Sequence, residues 1–348
     1  MKTVSVWTIT AVAVLLSCGV GAFALNYTIS DLGMVTGSVN AINENGDAVG
    51  FYWNSSGKTQ AFLKAIGGIQ TDIGATGYWP SAINDTGQVL LNAPNPLVWT
   101  AGNTRQLNPL SGDVSASAQA LDDNGWAVGV SYGPQQQLHA VLWRADGTSL
   151  ALSPLISGGQ AGALALNGAG QSAGTGKDSS GVWNAVRWSQ SGSITELASA
   201  TGYMSGAAYA LNSVGQVVGH VYNGSVPGHA VLWSSTGSAL LLPELLGATS
   251  GSAQAINDAG LIIGACYDAS SVSKAVVWDS TGGITSLGTL AGATTSVARA
   301  ITSAGIIYGT SNDAAGNTHI VMWVAPEPSS LLALLAGLGG LALRRRRS

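Results

Sequence analysis

A short motif occurs seven times along the chain, and this repetition constrains the fold more than any other feature. Each copy reads Ala, then Ile or Leu, then Asn, Asp or Thr, two further residues, Gly and an apolar run that usually ends in a second Gly. The last five motif glycines are 45 residues apart, at Gly125, Gly170, Gly215, Gly260 and Gly305. A tryptophan follows each of them by 18 residues, at Trp143, Trp188, Trp233, Trp278 and Trp323. A period of about 40 to 50 residues indicates units that bury hydrophobic faces against their neighbours.

Each unit predicts four short strands. The Asn-x-x-Gly segment suits a type I turn with Gly in the left-handed region, which joins a first strand of small residues to an apolar second strand. The Ala-Val-Leu-Trp run predicts the third strand, and residues 284–290 show the pattern of the fourth. Repeat one has Lys64 at the tryptophan position, and repeat two reaches Trp99 after twelve residues. Four strands in such a period are typical of a β-propeller, so we expect an all-β, seven-bladed propeller over residues 25–324.

The two ends of the array predict a closed ring. The seventh repeat stops at its third strand, because Trp323 is followed directly by Val324, Ala325 and Pro326. Residues 27–33 resemble the fourth strands at 69–74 and 284–288. We therefore expect 27–33 to complete the last blade beside 319–323, which leaves no open sheet edge. An unclosed stack of hairpin sheets is the alternative, but it needs no such displaced strand.

The N-terminus predicts export. Lys2 precedes an apolar run over residues 4–16, and Ala22-Phe23-Ala24 has the small residues that a signal peptidase reads. We expect a signal peptide over residues 1–24, with a lipid on Cys18 as the alternative. Once the signal is removed, Cys266 is the single remaining thiol and should be a small apolar residue in a strand.

The C-terminus carries a second targeting feature. Pro326, Glu327 and Pro328 precede an apolar segment at 329–343, which is followed by Arg344, Arg345, Arg346 and Arg347. A helix of that length rises about 22 Å, which makes a short transmembrane segment with its arginines in the cytoplasm. From Pro326 to Arg347 this arrangement resembles the PEP-CTERM sorting signal of Gram-negative bacteria, and we assign residues 325–348 to that signal. The resemblance implies cleavage by an exosortase-type enzyme, transient anchoring in the inner membrane, and transfer to the cell surface or its exopolysaccharide.

The repeat itself resembles the extracellular HAF repeat. The best matches are His139-Ala140-Val141-Leu142-Trp143 and His229-Ala230-Val231-Leu232-Trp233, whereas other units replace the histidine or the alanine. The resemblance covers residues 40–323 and implies a secreted repeat protein of unassigned activity.

The charge distribution excludes one class of partner. Only 9% of the residues are charged, and 16 acidic residues oppose 8 basic ones between residues 25 and 325. No basic stripe remains outside the sorting segment, so the sequence predicts no nucleic-acid binding.

No candidate for catalysis, cofactor binding or metal ligation emerges from the residue pattern. His139, His229 and His319 occupy one repeat position in separate units, so we expect hydrogen bonds to backbone within each blade rather than a shared metal. The turn residues Asp85, Asp122, Asp123 and Asp258 should bond their own backbone rather than calcium.

A motif typical of hydrolases, Gly-x-Ser-x-Gly, surrounds Ser172, but it aligns with strand residues 215–219, so Ser172 should lie in a strand. The acidic residues are scattered over turns and loops, and no pair of them stands out for glycoside cleavage. Convergence of acids from different blades leaves an enzyme as an open alternative.

Aromatic residues give the positive hypothesis about function. The loops between second and third strands are expected to carry Tyr52, Trp53, Tyr132, Trp183, Tyr222 and Tyr267 among neutral polar residues. Flat amphipathic rings beside hydrogen-bonding groups suit sugars, although packing over blade edges is the alternative. The sequence predicts a non-catalytic surface protein that contacts exopolysaccharide, matrix or surface proteins; a glycan-cleaving propeller and a purely structural coat protein are the alternatives.

Overall fold

The computed structural model describes residues 27–74, 76–93, 95–224 and 228–325 as seven four-stranded antiparallel sheets. These ranges contain no helix long and apolar enough to cross a bilayer. The expected signal peptide, residues 1–24, and the residues of the sorting signal from Pro326 onward lie outside the described residues. The all-β prediction for the body of the chain is confirmed.

Each sheet is one blade, built from consecutive strands except in the last. The chain begins with β1 (Thr28–Met34). Blades 1 to 3 follow as β2 (Ser38–Ile42), β3 (Ala48–Trp53), β4 (Thr59–Lys64), β5 (Gln70–Asp72); β6 (Trp79–Ile83), β7 (Val89–Asn92), β8 (Leu97–Thr100), β9 (Asn103–Gln106); and β10 (Ser115–Leu121), β11 (Ala127–Tyr132), β12 (Leu138–Trp143), β13 (Ser149–Ala151). The fourth strands of these three blades are shorter than the sequence predicted, at three or four residues.

The remaining blades repeat this order. Blades 4 to 6 consist of β14 (Ala161–Leu166), β15 (Ser172–Lys177), β16 (Trp183–Trp188), β17 (Ile194–Glu196); β18 (Ser205–Leu211), β19 (Val217–Tyr222), β20 (His229–Trp233), β21 (Ala239–Leu241); and β22 (Ala248–Ile256), β23 (Ile262–Asp268), β24 (Ser273–Trp278), β25 (Ile284–Ser286). Blade 7 consists of β26 (Ser296–Ile301), β27 (Ile307–Asn312), β28 (Thr318–Val324) and β1.

The ring is closed, as the sequence predicted. Strand β1 pairs antiparallel with β28, placing Ile29 opposite Trp323 and Thr28 opposite Val324. The first strand of every blade contacts the first strands of both neighbours, and β26 contacts β2. These first strands, called inner strands below, therefore surround a central channel. The unclosed stack of sheets is excluded, because blade 7 packs against blade 1.

The two faces of the ring differ in what they carry. The Asn-x-x-Gly turns lie at one end of the inner strands, where Gly215 adopts a left-handed φ of 81°. We call this the turn face. Because all pairing within the blades is antiparallel, the connections between second and third strands, and those between blades, lie at the opposite, loop face.

The motif asparagine joins each blade to the next. In all seven turns, the side-chain oxygen at this position accepts a hydrogen bond from the backbone N–H four residues later. In five turns the Nδ2 amide also donates to the backbone carbonyl at the same position of the following blade, at 2.8–3.2 Å. We call this series of amide bonds around the ring the asparagine belt. Asp122 and Thr302 have no side-chain amide, so the belt is interrupted at these two positions. Asparagine is favoured here because it supplies an acceptor and a donor at once.

The periodic tryptophans occupy equivalent buried sites, as predicted, each no more than 1% exposed. Trp233, for example, packs against Ala185 and Leu197 of the preceding blade. Its indole N–H donates to the carbonyl of Ala198, which lies in the segment entering its own blade, at 2.8 Å. The indoles of Trp143, Trp188 and Trp278 make the same bond 35 residues back. The indole N–H of Trp323 is buried and has no partner among the described residues.

This difference predicts unequal effects of one substitution. Trp233→Phe removes ring volume and leaves the Ala198 carbonyl without its indole donor, whereas Trp323→Phe removes similar volume but no hydrogen bond. We expect the free energy of unfolding to fall by about 1 kcal/mol more in Trp233→Phe than in Trp323→Phe. Urea unfolding of both variants measures this difference, and equal losses would contradict the role given to the indole bond.

The break in the asparagine belt predicts a stabilising change. Asp122→Asn keeps the acceptor for the Trp126 N–H and supplies the missing amide donor. Burial raises the pKa of Asp122 above its unfolded value, so ionised Asp122 opposes folding at neutral pH. We expect Asp122→Asn to raise the Tm at pH 7. The part of the Tm increase that comes from removing the charge should disappear as the pH falls from the pKa of folded Asp122 to that of unfolded Asp122, because the carboxyl group is then protonated in both states.

The reverse change provides the matched control. Asn212→Asp keeps the acceptor for the Gln216 N–H but removes the donor to the Asn257 carbonyl, and it places a carboxylate at a buried position. We expect a lower Tm at pH 7, by an amount corresponding to about 1–2 kcal/mol, and partial recovery at acidic pH. A gain from Asn212→Asp, or a loss from Asp122→Asn, would refute the two roles given to this position.

Candidate functional site

Every inner strand contains a β-bulge at the residue immediately before the motif alanine, and β22 has a second register shift at Thr249. In blade 5 the register passes from Ala208 to Ala210, so Tyr209 has no residue opposite it on β19. A bulge redirects a side chain. Because the inner strands surround the channel, the bulges give each blade one side chain at the channel wall. These residues are Asn40, Ser81, Gln119, Leu164, Tyr209, Gln254 and Arg299.

The second glycine of the motif permits this bulge. A Cβ atom on Gly219 would lie 1.9 Å from the carbonyl oxygen of Ala207 on the inner strand, so no other residue fits without moving the backbone. Gly50, Gly129, Gly174, Gly264 and Gly309 meet the inner strand in the same way. Blade 2 is the exception, with Leu91 at this position. In six blades this glycine therefore lets the second strand approach the inner strand closely, whereas blade 2 forms its bulge at Ser81 without it.

Four consecutive bulge residues border two adjoining cavities. One cavity of about 430 Å³ lies between blades 5 and 6, with Tyr209 and His220 on one side and Ser250, Ser252 and Gln254 on the other. The second, of about 340 Å³, is lined by Gln254, Arg299 and Asn40. Gln254 and Tyr267 line both cavities. We call the combined region the channel site; its defining residues are Asn40, Tyr209, His220, Gln254, Tyr267 and Arg299.

An aromatic stack forms one wall of the channel site. The His220 ring lies between Tyr209 and Tyr222, with centroids 5.1 Å from each and interplanar angles of 33° and 26°. Burial lowers the pKa of His220, so its imidazole is neutral at neutral pH. Burial raises the pKa of Tyr209 to about 12, which keeps its hydroxyl protonated. The Nδ1 atom of His220 is buried and has no partner among the described residues.

The opposite wall carries the one cation of the channel site. Arg299 is reached by water, yet protein surrounds it closely enough that desolvation lowers the pKa of its guanidinium. The group nevertheless remains charged at neutral pH. Among the described residues that line the two cavities there is no carboxylate. The channel site therefore combines a cation, neutral amides and hydroxyls, and aromatic rings.

Two of the six predicted aromatic residues belong to this region. Tyr267 lines both cavities and Tyr222 stacks on His220. The others lie on blades 1, 3 and 4, also at the loop face, as Tyr52, Trp53, Tyr132 and Trp183.

The structure corrects the environment that the sequence analysis gave these aromatics. Five of them are among the last two residues of second strands and Trp183 begins a third strand, rather than lying in loops. The hydroxyl of Tyr52 donates to Asp72 at 3.0 Å, Trp53 is 66% exposed, and Lys177 Nζ lies 5.8 Å from the Trp183 ring centroid.

The histidine prediction was wrong about the partner. His139 Nδ1 lies 2.9 Å from Asp113, His229 Nδ1 lies 2.7 Å from Glu244, and His319 Nδ1 lies 2.9 Å from Asp31. Each contact is to a carboxylate rather than to backbone, because the neighbouring connection or strand supplies an acid. The three pairs are on separate blades, and the described residues contain no group of three or more His, Cys, Asp or Glu arranged to hold a metal ion.

The hydrogen-bond partners of the turn aspartates were predicted correctly for only one of the four. Asp122 bonds its own turn, as expected. The carboxylates of Asp85, Asp123 and Asp258 instead accept N–H bonds from the turn of the preceding blade. Glu44 accepts in the same way from Ser303, across the closure of the ring. Because these turns meet at the channel, its turn-face mouth is acidic; burial is the main cause that raises the pKa values of Glu44 and Asp85.

Two other expectations concern buried strand residues. Ser172 lies in β15 opposite Trp188 and is fully buried, so it is not an exposed nucleophile. Cys266 is buried in β23, as expected of a small apolar residue.

The bulge residues are what the sequence analysis missed. Their signal was the position before the motif alanine, which changes from repeat to repeat while the framework around it stays constant.

The comparisons with known proteins establish the fold. No protein-family model and no curated protein matches the chain. Its structure is similar to that of a puromycin hydrolase, with a TM-score of 0.59 and 11% identity over 85% of this chain and 54% of that one. It is also similar to virginiamycin B lyase from Staphylococcus aureus, with a TM-score of 0.51 and 12% identity over 86% and 100% of the two chains. A streptogramin B lyase structure gives a TM-score of 0.50, with 11% identity over 86% and 98%.

These similarities, with the closed ring, define the class of protein. The chain is a seven-bladed β-propeller. It spans about half the length of the puromycin hydrolase chain. At such low identity these similarities show the fold alone.

Proposed function

We propose that this propeller is a non-catalytic surface protein that binds polysaccharide at the channel site. The observation that carries the proposal is the combination, in cavities of about 430 and 340 Å³, of stacked aromatic rings with neutral hydrogen-bonding groups. Ligand sites typically pair apolar walls with a few polar groups in volumes of about 300–1,000 Å³.

The chemistry of the walls suits a sugar. Tyr209 and Tyr267 offer ring surface together with hydroxyls, and Ser250, Ser252 and Gln254 offer neutral donors and acceptors. A sugar ring has an apolar C–H face and a rim of hydroxyls, so it can use both kinds of wall. The partner expected is therefore exopolysaccharide, with surface proteins or other matrix material as further contacts of the loop face.

The termini support a surface location. The signal peptide over residues 1–24 directs export, and the Pro326-Glu327-Pro328 sorting signal with its transmembrane segment at 329–343 provides a transient inner-membrane anchor. An exosortase-type enzyme then releases the protein to the surface of a Gram-negative cell. Both steps are part of the proposal and follow from the sequence.

Binding is favoured over glycan cleavage by the distribution of carboxylates. Glycoside hydrolysis ordinarily uses two carboxyl groups on either side of the scissile bond. The described residues that line the channel site include none. A purely structural coat protein would need neither the aromatic stack nor the cavities.

The binding proposal predicts a local effect of aromatic truncation. With the full chain in a detergent without sugar head groups, we expect saturable binding to at least one member of an oligosaccharide panel, without product formation. Tyr267→Ala should weaken that binding roughly fivefold through the loss of about 1 kcal/mol of ring contact. Trp53→Ala is the control, because Trp53 lies on blade 1 outside both cavities.

Calorimetric titration with parallel product analysis separates the alternatives. Cleavage products would establish the enzyme, and no binding to any oligosaccharide would favour the coat protein. Unchanged binding in Tyr267→Ala, with an unaltered circular dichroism spectrum, would show that the channel site is not where the sugar binds.

The location proposal predicts two processed termini. Mass spectrometry of the surface protein should find a form that begins at Leu25 and lacks Arg344, Arg345, Arg346 and Arg347. Glu327→Ala should leave those arginines in place and hold the protein in the inner membrane, whereas Glu244→Ala, in the propeller body, should not affect processing. Surface material that retains the arginines would contradict exosortase cleavage but not export.

A further inference from the structure

We propose that the blade 7 end of the channel site binds a carboxylate, so that the preferred ligand is an acidic sugar, a uronic acid or a sugar with an equivalent carboxyl group. This inference rests on the proposed function and specifies its ligand class. The observation behind it is the juxtaposition of an unpaired guanidinium, Arg299, with Tyr267 and two amides in one cavity of about 340 Å³.

Arg299 differs from the other described arginines in having no partner. Arg105 donates to the carbonyls of Gly125 and Arg144, and Arg187 donates to those of Gly215 and Ser235. Arg144 lies over the Trp126 ring at 5.6 Å. Within the described part of the chain, no hydrogen bond or ion pair involves the Arg299 side chain. Its guanidinium therefore keeps all five N–H donors available.

The fold does not require an arginine at this position. The equivalent bulge residues on the other six blades are Asn, Ser, Gln, Leu, Tyr and Gln, all uncharged. Each of them forms the same kind of bulge opposite the second strand of its own blade. Placing a charge there has a cost, since protein surrounds Arg299 and lowers the pKa of its guanidinium by desolvation. The framework does not need a charge at this position, and the open cavity beside the exposed Arg299 leaves its guanidinium accessible to a ligand.

The surroundings select the sign and shape of that ligand. No carboxylate among the described residues lines the cavity to neutralise Arg299, and the acidic mouth lies at the opposite, turn-face end of the channel. A guanidinium presents a planar fork that matches a carboxylate in bidentate fashion. Asn40 and Gln254 flank it as neutral groups. Each amide already donates one of its two N–H groups, to the carbonyl of Pro80 and to the Ser252 hydroxyl, whereas Arg299 contributes the charge and the largest set of donors for an anion.

The aromatic neighbour makes the ligand a sugar rather than a bare anion. Tyr267 borders the Arg299 cavity and the adjoining cavity, and it is near enough for the two groups to perturb each other's pKa. A sugar resting on the Tyr267 ring would direct one edge towards Arg299. A carboxyl group on that edge would meet the guanidinium, while the next sugar residue would occupy the cavity beside Tyr209 and His220.

Charge-matched ligands test this assignment. We would titrate the full chain, in a detergent without sugar head groups, with tetramers of galacturonate, glucuronate and mannuronate and with the carboxyl-reduced form of each. We expect at least one acidic tetramer to bind roughly tenfold more tightly than its reduced form at low salt. The preference should fall as salt rises, because an ion pair in a water-filled channel is partly screened.

Two arginine variants locate the effect. Arg299→Gln introduces the residue found at the bulges of blades 3 and 6, so it should fold normally, retain binding of the reduced tetramer and abolish the acidic preference. Arg144→Gln removes an equal charge outside both cavities and should leave the preference intact. Melting temperatures of both variants would verify that the ring is folded.

The possible failures are distinguishable. Equal binding of acidic and reduced tetramers, or an acidic preference that survives in Arg299→Gln, overturns the carboxylate assignment and leaves polysaccharide binding in place. Failure of every acidic, reduced and neutral oligosaccharide to bind overturns this inference and the proposed function together. An acidic preference lost equally in Arg144→Gln would assign it to overall charge rather than to the channel site.

Discussion

The hydrogen bond from the motif asparagine of one blade to the turn of the next is the interaction on which the ring depends. A blade of four short strands cannot bury its faces alone, so its neighbours must be held at a fixed spacing. The asparagine sets that spacing, because its side-chain oxygen accepts a hydrogen bond within its own turn while its amide donates to the turn of the next blade. Where an aspartate or threonine replaces it, Asn124 and Glu44 bridge the same gaps from adjacent positions. The inner wall is thus continuous in polar contacts, although the amide belt has two breaks.

A regular inner wall makes any departure from regularity informative. The bulge gives every blade a side chain at the channel, and in six blades a glycine on the second strand avoids a clash with the backbone of the inner strand. The same bulge forms whichever side chain occupies this position. Six of these positions are uncharged and one is Arg299, while a tyrosine occurs only at Tyr209. The residues that vary within a constant framework therefore mark the channel site more clearly than the conspicuous histidines, each of which is engaged by a carboxylate.

Much of the fold could be predicted from the sequence, because its determinants are periodic. The spacing of Trp233 from Gly215 defines a blade, and the missing last strand identifies the role of residues 27–33. The candidate site was less accessible: the variable position before the motif alanine is visible in the sequence, but the bulge that brings it to the channel depends on how two strands pair. Partners distant in sequence were also invisible: His319 meets Asp31 across 288 residues, and Asp123 bonds the turn of another blade. Only Tyr222 and Tyr267 were identified by the sequence analysis and also belong to the channel-site region.

The pairing of β1 with β28 also fixes the orientation of the attached segments. Antiparallel register places Thr28 beside Val324, so the chain enters and leaves the ring at one point, on the turn face. Any segment attached to either end therefore begins at the same edge of blade 7, and the loop face lies on the side of the ring away from both attachment points. A force applied through either end would act first on the pairing of β1 with β28.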